Sequence, residues 1–459
     1  MKTMGRIAAA AFAAAGLIGR GAAAAPGDVV TAPYPIATQA GTPDVAVAAN
    51  GTAVYVWVGP ERDLVHVRID QPAGVAAASF SIAGHPQVQV LTPSVAVDAA
   101  GRFVVAWAEQ SGSYPYYLYR IFLRRFAADG TALSPVVAVD DSAAANFDQI
   151  DPDVSMNAAG QFVVSWSTLQ YQSSGNSLLR VTQGPIMMRR YSSAGLASAV
   201  QTVASRESGY LNISPSLYPA LDIFGRLQYA SKGPSVSIGS AGETVVAWTA
   251  GFVEEQRIYS LVSTAPLLGG GLQTVYAQRF DASGLTQGKR ITIDSALTNA
   301  HEIYDPPSVA WAPDGGFVVA YDRNDALRSA ALSRGIYFKH VDAAGTVPRN
   351  ATEVQRGPSP FCCQTTYDGS PAVAVHSGGG FVVAWRNFGP ESAQQSPSPS
   401  ISAQVYASDG SAIGTATFAS DGIQSRPGIA MRGDGDCVLS WGHFDNSTST
   451  VSAAIIDGP

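Results

Sequence analysis

One four-residue pattern recurs seven times along the chain, and it constrains the fold more than any other feature. Each copy has a proline, a β-branched residue two positions later, a glycine eight positions later and an aromatic residue fourteen positions later. The prolines are Pro43, Pro93, Pro152, Pro234, Pro307, Pro371 and Pro427. The aromatic residues are Trp57, Trp107, Trp166, Trp248, Tyr321, Trp385 and Trp441. Because every copy keeps these offsets, we expect seven equivalent supersecondary units.

Each copy predicts four short strands. The residues after the proline, such as 94–97, form the first strand, and the following glycine supplies the positive φ of a tight hairpin. The next run, such as 103–107, is apolar on both faces, which indicates a strand buried on both sides. A further apolar residue four positions before a glycine, such as Phe126 before Gly130, predicts a third strand and a second hairpin. A run such as 135–139 predicts the fourth strand.

Seven copies of four strands predict an all-β fold, a seven-bladed β-propeller with four antiparallel strands per blade. The seventh copy ends after its third strand, at residues 451–456, whereas residues 28–30 precede the first copy as a lone strand. We therefore expect the N-terminal strand to complete the last blade. Such closure removes the unpaired edges of an open array.

The N-terminus predicts a signal peptide over residues 1–25, which leaves 26–459 as the propeller. Lys2 and Arg6 precede an apolar stretch at 7–18, and small residues at 22–25 provide a cleavage site. Twelve apolar residues are too few to span a bilayer. The sequence thus predicts a protein that is secreted or periplasmic after cleavage and has no transmembrane segment. A retained amphipathic anchor is the alternative.

Charge and cysteine content narrow the partners. A formal charge of −7 with four lysines argues against binding to nucleic acid or to an anionic membrane, and we expect a monomer. Three cysteines are too few to build a disulfide-dependent fold. Cys362 and Cys363 are adjacent and form either a vicinal disulfide or two free thiols, whereas Cys437 occupies a predicted core position.

The sequence VYAQRFDASG at 275–284, with GGFVVA at 315–320, resembles the GGFVVAW…YAQRFDAxG repeats of large bacterial secreted and surface proteins. The resemblance covers nearly all of the mature chain and implies a propeller, but it implies little about function. The chain departs from that family in its variable loops between the second and third strands, where the family often has Asp-Gly-Ser-Gly. It also lacks the calcium-binding nonapeptide repeats of some members. No calcium site, other metal or cofactor is therefore predicted.

Propellers usually bind ligands on the face that carries the loops from strand two to three and from strand four to the next blade. Those loops hold the insertions in this chain, at 170–185, 205–232, 251–273 and 387–400, and the triplet at 269–271 is expected at a loop tip. Long loops in a regular repeat are often functional, although drift of unselected surface loops is the alternative.

Polar residues beside the repeated proline, or just after the repeated aromatic, are expected to surround the channel mouth on that face. The predicted ligand-binding residues are Glu109, Asp151, Asp305, Arg323, Arg386 and Arg426. The candidate catalytic residues are His301, Tyr304 and His443, since His and Tyr beside carboxylates and Arg can bind an acidic sugar and abstract a proton. A solvated polar rim is the simpler interpretation of the same residues.

The sequence contains no nucleophile elbow, no zincin motif and no P-loop, and its six histidines show no metal-ligand spacing. The first hypothesis is therefore a binding or scaffold propeller for a carbohydrate or protein ligand. The alternative is an extracellular polysaccharide-degrading enzyme, a lyase or hydrolase. A purely structural surface module is a third hypothesis, which a large exposed apolar patch would support.

Overall fold

The computed structural model describes residues 24–459 except 39–40, 73–75, 114–115, 141–147, 175–177, 206–209, 214–232, 252–269, 300–305, 326–332, 357–368, 388–399, 420–422 and 445–448. The predicted signal peptide up to residue 23 and the pair Cys362 and Cys363 lie outside this part. In the described ranges the regular structure consists of strands in seven antiparallel sheets. None of the described segments is a helix long and apolar enough to cross a membrane.

The sheets follow one another along the chain as seven blades, as the repeat predicts. Blade 1 contains β2 (Asp44–Val47), β3 (Ala53–Val58), β4 (Leu64–Asp70) and β5 (Ala76–Ala83). Blade 2 contains β6 (Gln89–Val97), β7 (Phe103–Ser113), β8 (Tyr116–Phe126) and β9 (Val137–Ala138). Blade 3 contains β10 (Asp148–Met156), β11 (Phe162–Ser174), β12 (Leu178–Tyr191), β13 (Gln201–Ala204) and an added β14 (Tyr210–Ile213).

The second half of the ring has the same order. Blade 4 contains β15 (Ser235–Ile238), β16 (Thr244–Gly251), β17 (Gly270–Phe280) and β18 (Thr286–Asn299). Blade 5 contains β19 (Ser308–Trp311), β20 (Phe317–Asp325), β21 (Ser333–Val341) and β22 (Thr352–Arg356). Blade 6 contains β23 (Gly369–Val375), β24 (Phe381–Asn387), β25 (Ser400–Tyr406) and β26 (Ala412–Ala419). Blade 7 contains β27 (Ile423–Gln424), β28 (Gly428–Met431), β29 (Cys437–Phe444), β30 (Ser449–Ile456) and β1 (Val29–Thr38).

The N-terminal strand closes the ring, which confirms the prediction from the two chain ends. β1 pairs antiparallel with β30, from Val29 opposite Ile456 to Thr38 opposite Thr450. Next to this pair, the Gly27 amide donates to the Asp457 carbonyl over 2.8 Å. The last blade is therefore built from both ends of the propeller chain.

The apolar core lies between blades rather than within one sheet. There are seven buried clusters in the described residues, and each combines side chains of two neighbouring blades. One cluster joins Val56 and Val67 of blade 1 to Val105 and Trp107 of blade 2. The second strand of each blade is buried on both faces, as its apolar sequence predicts. The seven repeated glycines have φ values between 81° and 100°, which confirms their role in the first hairpins.

Three insertions that the sequence suggested to be loops contribute strands to the sheets instead, and one of these strands is β14, within 205–232. Within residues 170–185, β11 and β12 extend as a two-stranded arm that pairs Gln170 with Thr182 and Ser174 with Leu178. Gly270 and Gly271 belong to β17 and pair with β18, so the glycine triplet is not simply a loop tip. The sequence pattern does not predict these strands, because their backbone pairing continues beyond the apolar positions that the repeat marks.

The residue that follows the repeated proline links the innermost strand to the next blade in five of the seven blades. At five junctions its side-chain oxygen accepts a hydrogen bond from the amide of the next blade's β-branched residue. The acceptors, each with its donor, are Asp44 with Val95, Ser94 with Val154, Asp153 with Val236, Ser235 with Val309 and Ser308 with Val373. Blades 6 and 7 have Ala372 and Gly428 at this position, which carry no side-chain acceptor. Five of the seven junctions thus have an additional polar link along the channel.

Candidate functional site

Two aspartates of the innermost strands share a hydroxyl across the channel wall. Ser94 Oγ lies 3.1 Å from Asp44 Oδ2 and 3.3 Å from Asp153 Oδ1. Burial raises the pKa of Asp44 to about 6, and the negative charge of Asp153 adds to this rise. Burial also raises the pKa of Asp153. The channel wall therefore holds two carboxyl groups that ionise less readily than exposed ones.

Arg426 reaches from blade 7 over the channel to two other blades. Its Nη2 donates to the carbonyl oxygens of Pro307 (3.3 Å) and Pro371 (3.1 Å), at the start of the inner strands of blades 5 and 6. Its positive charge also offsets part of the rise in the pKa of Asp153. The half-buried side chain thus lies at the channel mouth, where the sequence placed it, and it joins three blades there.

The position two residues after the repeated aromatic forms a ring around the same face, because strand two of every blade ends there. Its occupants differ in every blade: Gly59, Glu109, Thr168, Ala250, Arg323, Asn387 and His443. The first four are buried, whereas the last three are half-buried. The partly accessible polar members of this ring therefore lie in consecutive blades, 5 to 7.

Glu109 holds two neighbouring side chains in blade 2. It is 3% exposed and accepts a hydrogen bond from Trp107 Nε1 over 2.9 Å. It forms a second hydrogen bond, of 2.8 Å, with Nδ1 of His85. The His85 side chain is 53% exposed and packs 4.5 Å from the Phe122 ring. A ligand at this blade would therefore meet His85 before Glu109. The sequence pattern missed His85 because it lies in the loop between blades, outside every repeated position.

Arg323 belongs to a polar group between blades 4 and 5. Its Nη1 lies 3.2 Å from Asp294 Oδ2, which also accepts the hydroxyl of Tyr321 over 2.9 Å. Lys339 Nζ lies 4.0 Å from the other oxygen of Asp294. The Arg323 guanidinium stands over the Tyr337 ring at 5.8 Å. Asp294 and Lys339 were missed by the sequence analysis, since outer strands carry no strict repeat.

The other predicted residues fall into two groups. Asp151 is half-buried at the channel mouth, and it has a left-handed φ of 51° directly before Pro152. That conformation is costly for a residue other than glycine and is held by the bulge between β10 and β11. Arg386 and His443 are half-buried at the ends of β24 and β29. The remaining candidates lie outside the described residues: Asp305, His301 and Tyr304.

The described residues contain no cluster of three or more His, Cys, Asp or Glu side chains that could hold a metal ion. The arrangement of blades 5 to 7 is instead one of cationic and aromatic groups beside a channel. Such groups can bind an anionic ligand through hydrogen bonds and charge.

No protein-family model and no curated protein matches the sequence. Among solved structures, a Dyadobacter fermentans protein of unknown function is 9% identical over 93% of this chain and 99% of its own, with a TM-score of 0.47. Polysaccharide lyase Uly1 is 10% identical over 90% of this chain and 89% of its own, with a TM-score of 0.47. A Penicillium chrysogenum α-L-arabinanase, solved with arabinobiose, is 13% identical over 82% of this chain and 94% of its own, with a TM-score of 0.42. At these values none of the three indicates a function for this chain.

Proposed function

We propose that this protein is a glycan-binding propeller whose ligand is an acidic carbohydrate, held over blades 5 to 7 on the loop-rich face. The observation that carries the proposal is the concentration of cationic and imidazole groups at this part of the mouth. Arg323, Arg386, Arg426 and His443 come from three consecutive blades and are all half-buried. They occur in a chain whose formal charge is −7.

The chemistry of this group fits a sugar carboxylate. A guanidinium presents a planar fork of N–H donors that matches a carboxylate, and such charge-assisted bonds are stronger than neutral ones. Tyr337 beside Arg323 adds an aromatic surface for the apolar side of a sugar ring. At the position two residues after the repeated aromatic, blades 1 to 4 carry buried residues, so in the described part of the face Arg323 and His443 have no partly accessible charged or imidazole counterpart there. A single polymer chain is the kind of ligand that such a sector suits.

The proposed cellular location agrees with this ligand. Cleavage after the predicted signal peptide would release the propeller to the periplasm or the medium, where acidic polysaccharides occur. Export and glycan binding can be tested separately, because the predicted cleavage leaves residues 26–459 as the propeller.

The test is calorimetric titration of residues 26–459 with oligogalacturonate and with a neutral oligosaccharide of equal length. We expect binding of the acidic oligomer, weakened by salt because charges at the face are screened. Arg386→Gln should weaken binding by about 10- to 150-fold, since a hydrogen bond to a charged group contributes roughly 1.5–3 kcal/mol. Arg349→Gln is the matched control, because Arg349 is exposed beyond the other end of β21. Equal binding of acidic and neutral oligomers would contradict the proposal.

The same samples separate binding from catalysis. Binding without formation of unsaturated uronate or of new reducing ends supports a binding protein. Appearance of unsaturated uronate would replace it with the lyase alternative, in which His443 is the first residue to mutate. New reducing ends without unsaturation would favour a hydrolase.

A further inference from the structure

A second polar constellation lies in blade 1, apart from the cationic sector. Ser81 on β5 is directly opposite His66 on β4, and Ser81 Oγ lies 2.9 Å from His66 Nδ1. The other ring nitrogen, Nε2, is hydrogen-bonded to the carboxylate of Glu61, in the loop between β3 and β4. A hydroxyl, an imidazole and a carboxylate thus form one continuous hydrogen-bonded chain.

The imidazole is held in place from three sides. Its ring stacks on Trp57, with centroids 5.5 Å apart and planes inclined by 14°. The loop that carries Glu61 is tied to the next connection, since the Val90 amide donates to the Arg62 carbonyl over 2.6 Å. Gly84 makes a similar bond to the carbonyl of Asp63 over 3.0 Å. The loop therefore presents Glu61 to the ring in a defined position.

Gly59 gives independent support that this arrangement is specific to blade 1. A Cβ at residue 59 would collide with both the Glu61 carboxylate and His66 Nε2. The equivalent position in every other blade carries a side chain, such as Glu109 or Arg323. Blade 1 thus has the one residue type that leaves room for the pair of His66 and Glu61.

The hydroxyl is accessible to a substrate. Ser81 is exposed, and the side chains of His66 and Glu61 are 26% and 34% exposed. Both ring nitrogens have their partners in a single tautomer: Nε2–H donates to Glu61, and Nδ1 accepts the Ser81 hydroxyl. This is the relation of nucleophile, base and orienting carboxylate that activates a serine, here with the two ring nitrogens exchanged relative to the serine-protease template.

We propose that Ser81, His66 and Glu61 form an acyl-transfer site that hydrolyses small acyl esters. Ser81 Oγ attacks the carbonyl carbon while its proton passes to His66 Nδ1, and Glu61 stabilises the imidazolium. The ester C–O bond then breaks, and the leaving alcohol takes the proton from Nδ1. Water attacks the acyl-serine, gives a proton to Nδ1 and releases the acid, and that proton returns to Ser81. Ester and water thus become acid and alcohol, without another reactant. The activity does not depend on glycan binding over blades 5 to 7.

The test is covalent labelling by a fluorophosphonate probe, with mass spectrometry of the labelled peptide, together with turnover of p-nitrophenyl acetate. We expect the label on Ser81 and its loss in Ser81→Ala. His66→Gln should slow labelling on the order of 10²-fold or more, which is the usual contribution of a general base.

Ser79→Ala is the matched control, since Ser79 is an exposed serine two residues earlier on the same strand. It should label like the wild type, and all variants should melt like the wild type. Labelling of Ser81→Ala at the wild-type rate would overturn the proposal. So would a native protein that labels no faster than the unfolded chain.

Discussion

Asp44 is the residue at which a single substitution should stabilise the propeller, in a way that depends on pH. Its carboxylate lies in the channel wall, accepts the amides of Val45 and Val95 over 2.9 Å each, and faces Asp153 across Ser94. Asn at residue 44 keeps the shape and one acceptor oxygen, which can serve the Val95 amide, whereas its NH2 group takes the place of the oxygen that accepts the Val45 amide. The substitution therefore removes the electrostatic cost of the carboxylate together with one hydrogen bond.

The size of this cost follows from the pKa. Burial raises the pKa of Asp44 to about 6 in the folded protein, against about 3.9 in an unfolded chain. A raised pKa means that the folded state binds the proton more tightly, so the free energy of unfolding falls as pH rises from about 4 to about 6. A difference of roughly two pKa units, at 1.36 kcal/mol each, corresponds to about 3 kcal/mol of folding stability. The protein loses all of this stability once the pH is above the pKa of Asp44 in the folded state.

Asp44→Asn should escape this loss. We expect the variant and the wild type to have similar free energies of unfolding near pH 4, and the variant to be more stable by up to about 3 kcal/mol near pH 8. The measurement is urea unfolding of both proteins at the two pH values, with Asp63→Asn as an exposed control. A variant that is no more stable than the wild type near pH 8 would refute the reasoning. It would show that the hydrogen bonds of Asp44 outweigh the cost of its buried charge.

Three further predictions concern stability and reactivity. Ser308→Ala should lower the free energy of unfolding by about 1 kcal/mol in urea titrations, because it removes the link between blades 5 and 6. Trp107→Phe should lower the free energy of unfolding by roughly 1–3 kcal/mol more than Trp166→Phe does, because it removes the indole N–H that donates to the buried carboxylate of Glu109. The Trp166 indole N–H has no partner among the described residues, so its loss leaves no acceptor unsatisfied. Cys437 should resist iodoacetamide until the protein unfolds, because burial raises the pKa of its thiol and hides the sulfur.

Each of these predictions has an outcome that would contradict it. The first is contradicted if Ser308→Ala has the same free energy of unfolding as Ser79→Ala, which alters an exposed serine. The second is contradicted if the two tryptophan variants lose the same amount of stability. The third is contradicted if mass spectrometry shows that Cys437 in the native protein is modified as fast as a free thiol.

The repeat alone determined the architecture. The offsets of two, eight and fourteen residues are local, so they specify strands and glycine turns wherever they occur. With seven such copies, a closed ring of stacked sheets is the arrangement that buries both faces of each second strand. The lone strand before Pro43 likewise predicted its pairing with residues 451–456, which β1 and β30 confirm. The insertions carry no repeat, and there the extended hairpin of blade 3 was not predicted.

The sites depended on contacts that no local pattern contains. Glu109, Arg323 and His443 are equivalent by sequence, but packing buries the first and leaves the other two partly accessible. Asp294 meets Arg323 only because blade 4 packs against blade 5, and their separation in sequence carries no period. Ser81 meets His66 through the register of two outer strands, which the repeat leaves free to vary. The sequence by itself determined the ring, because a repeated local pattern suffices to build it, whereas only the tertiary structure decided which unrepeated side chains meet between its blades.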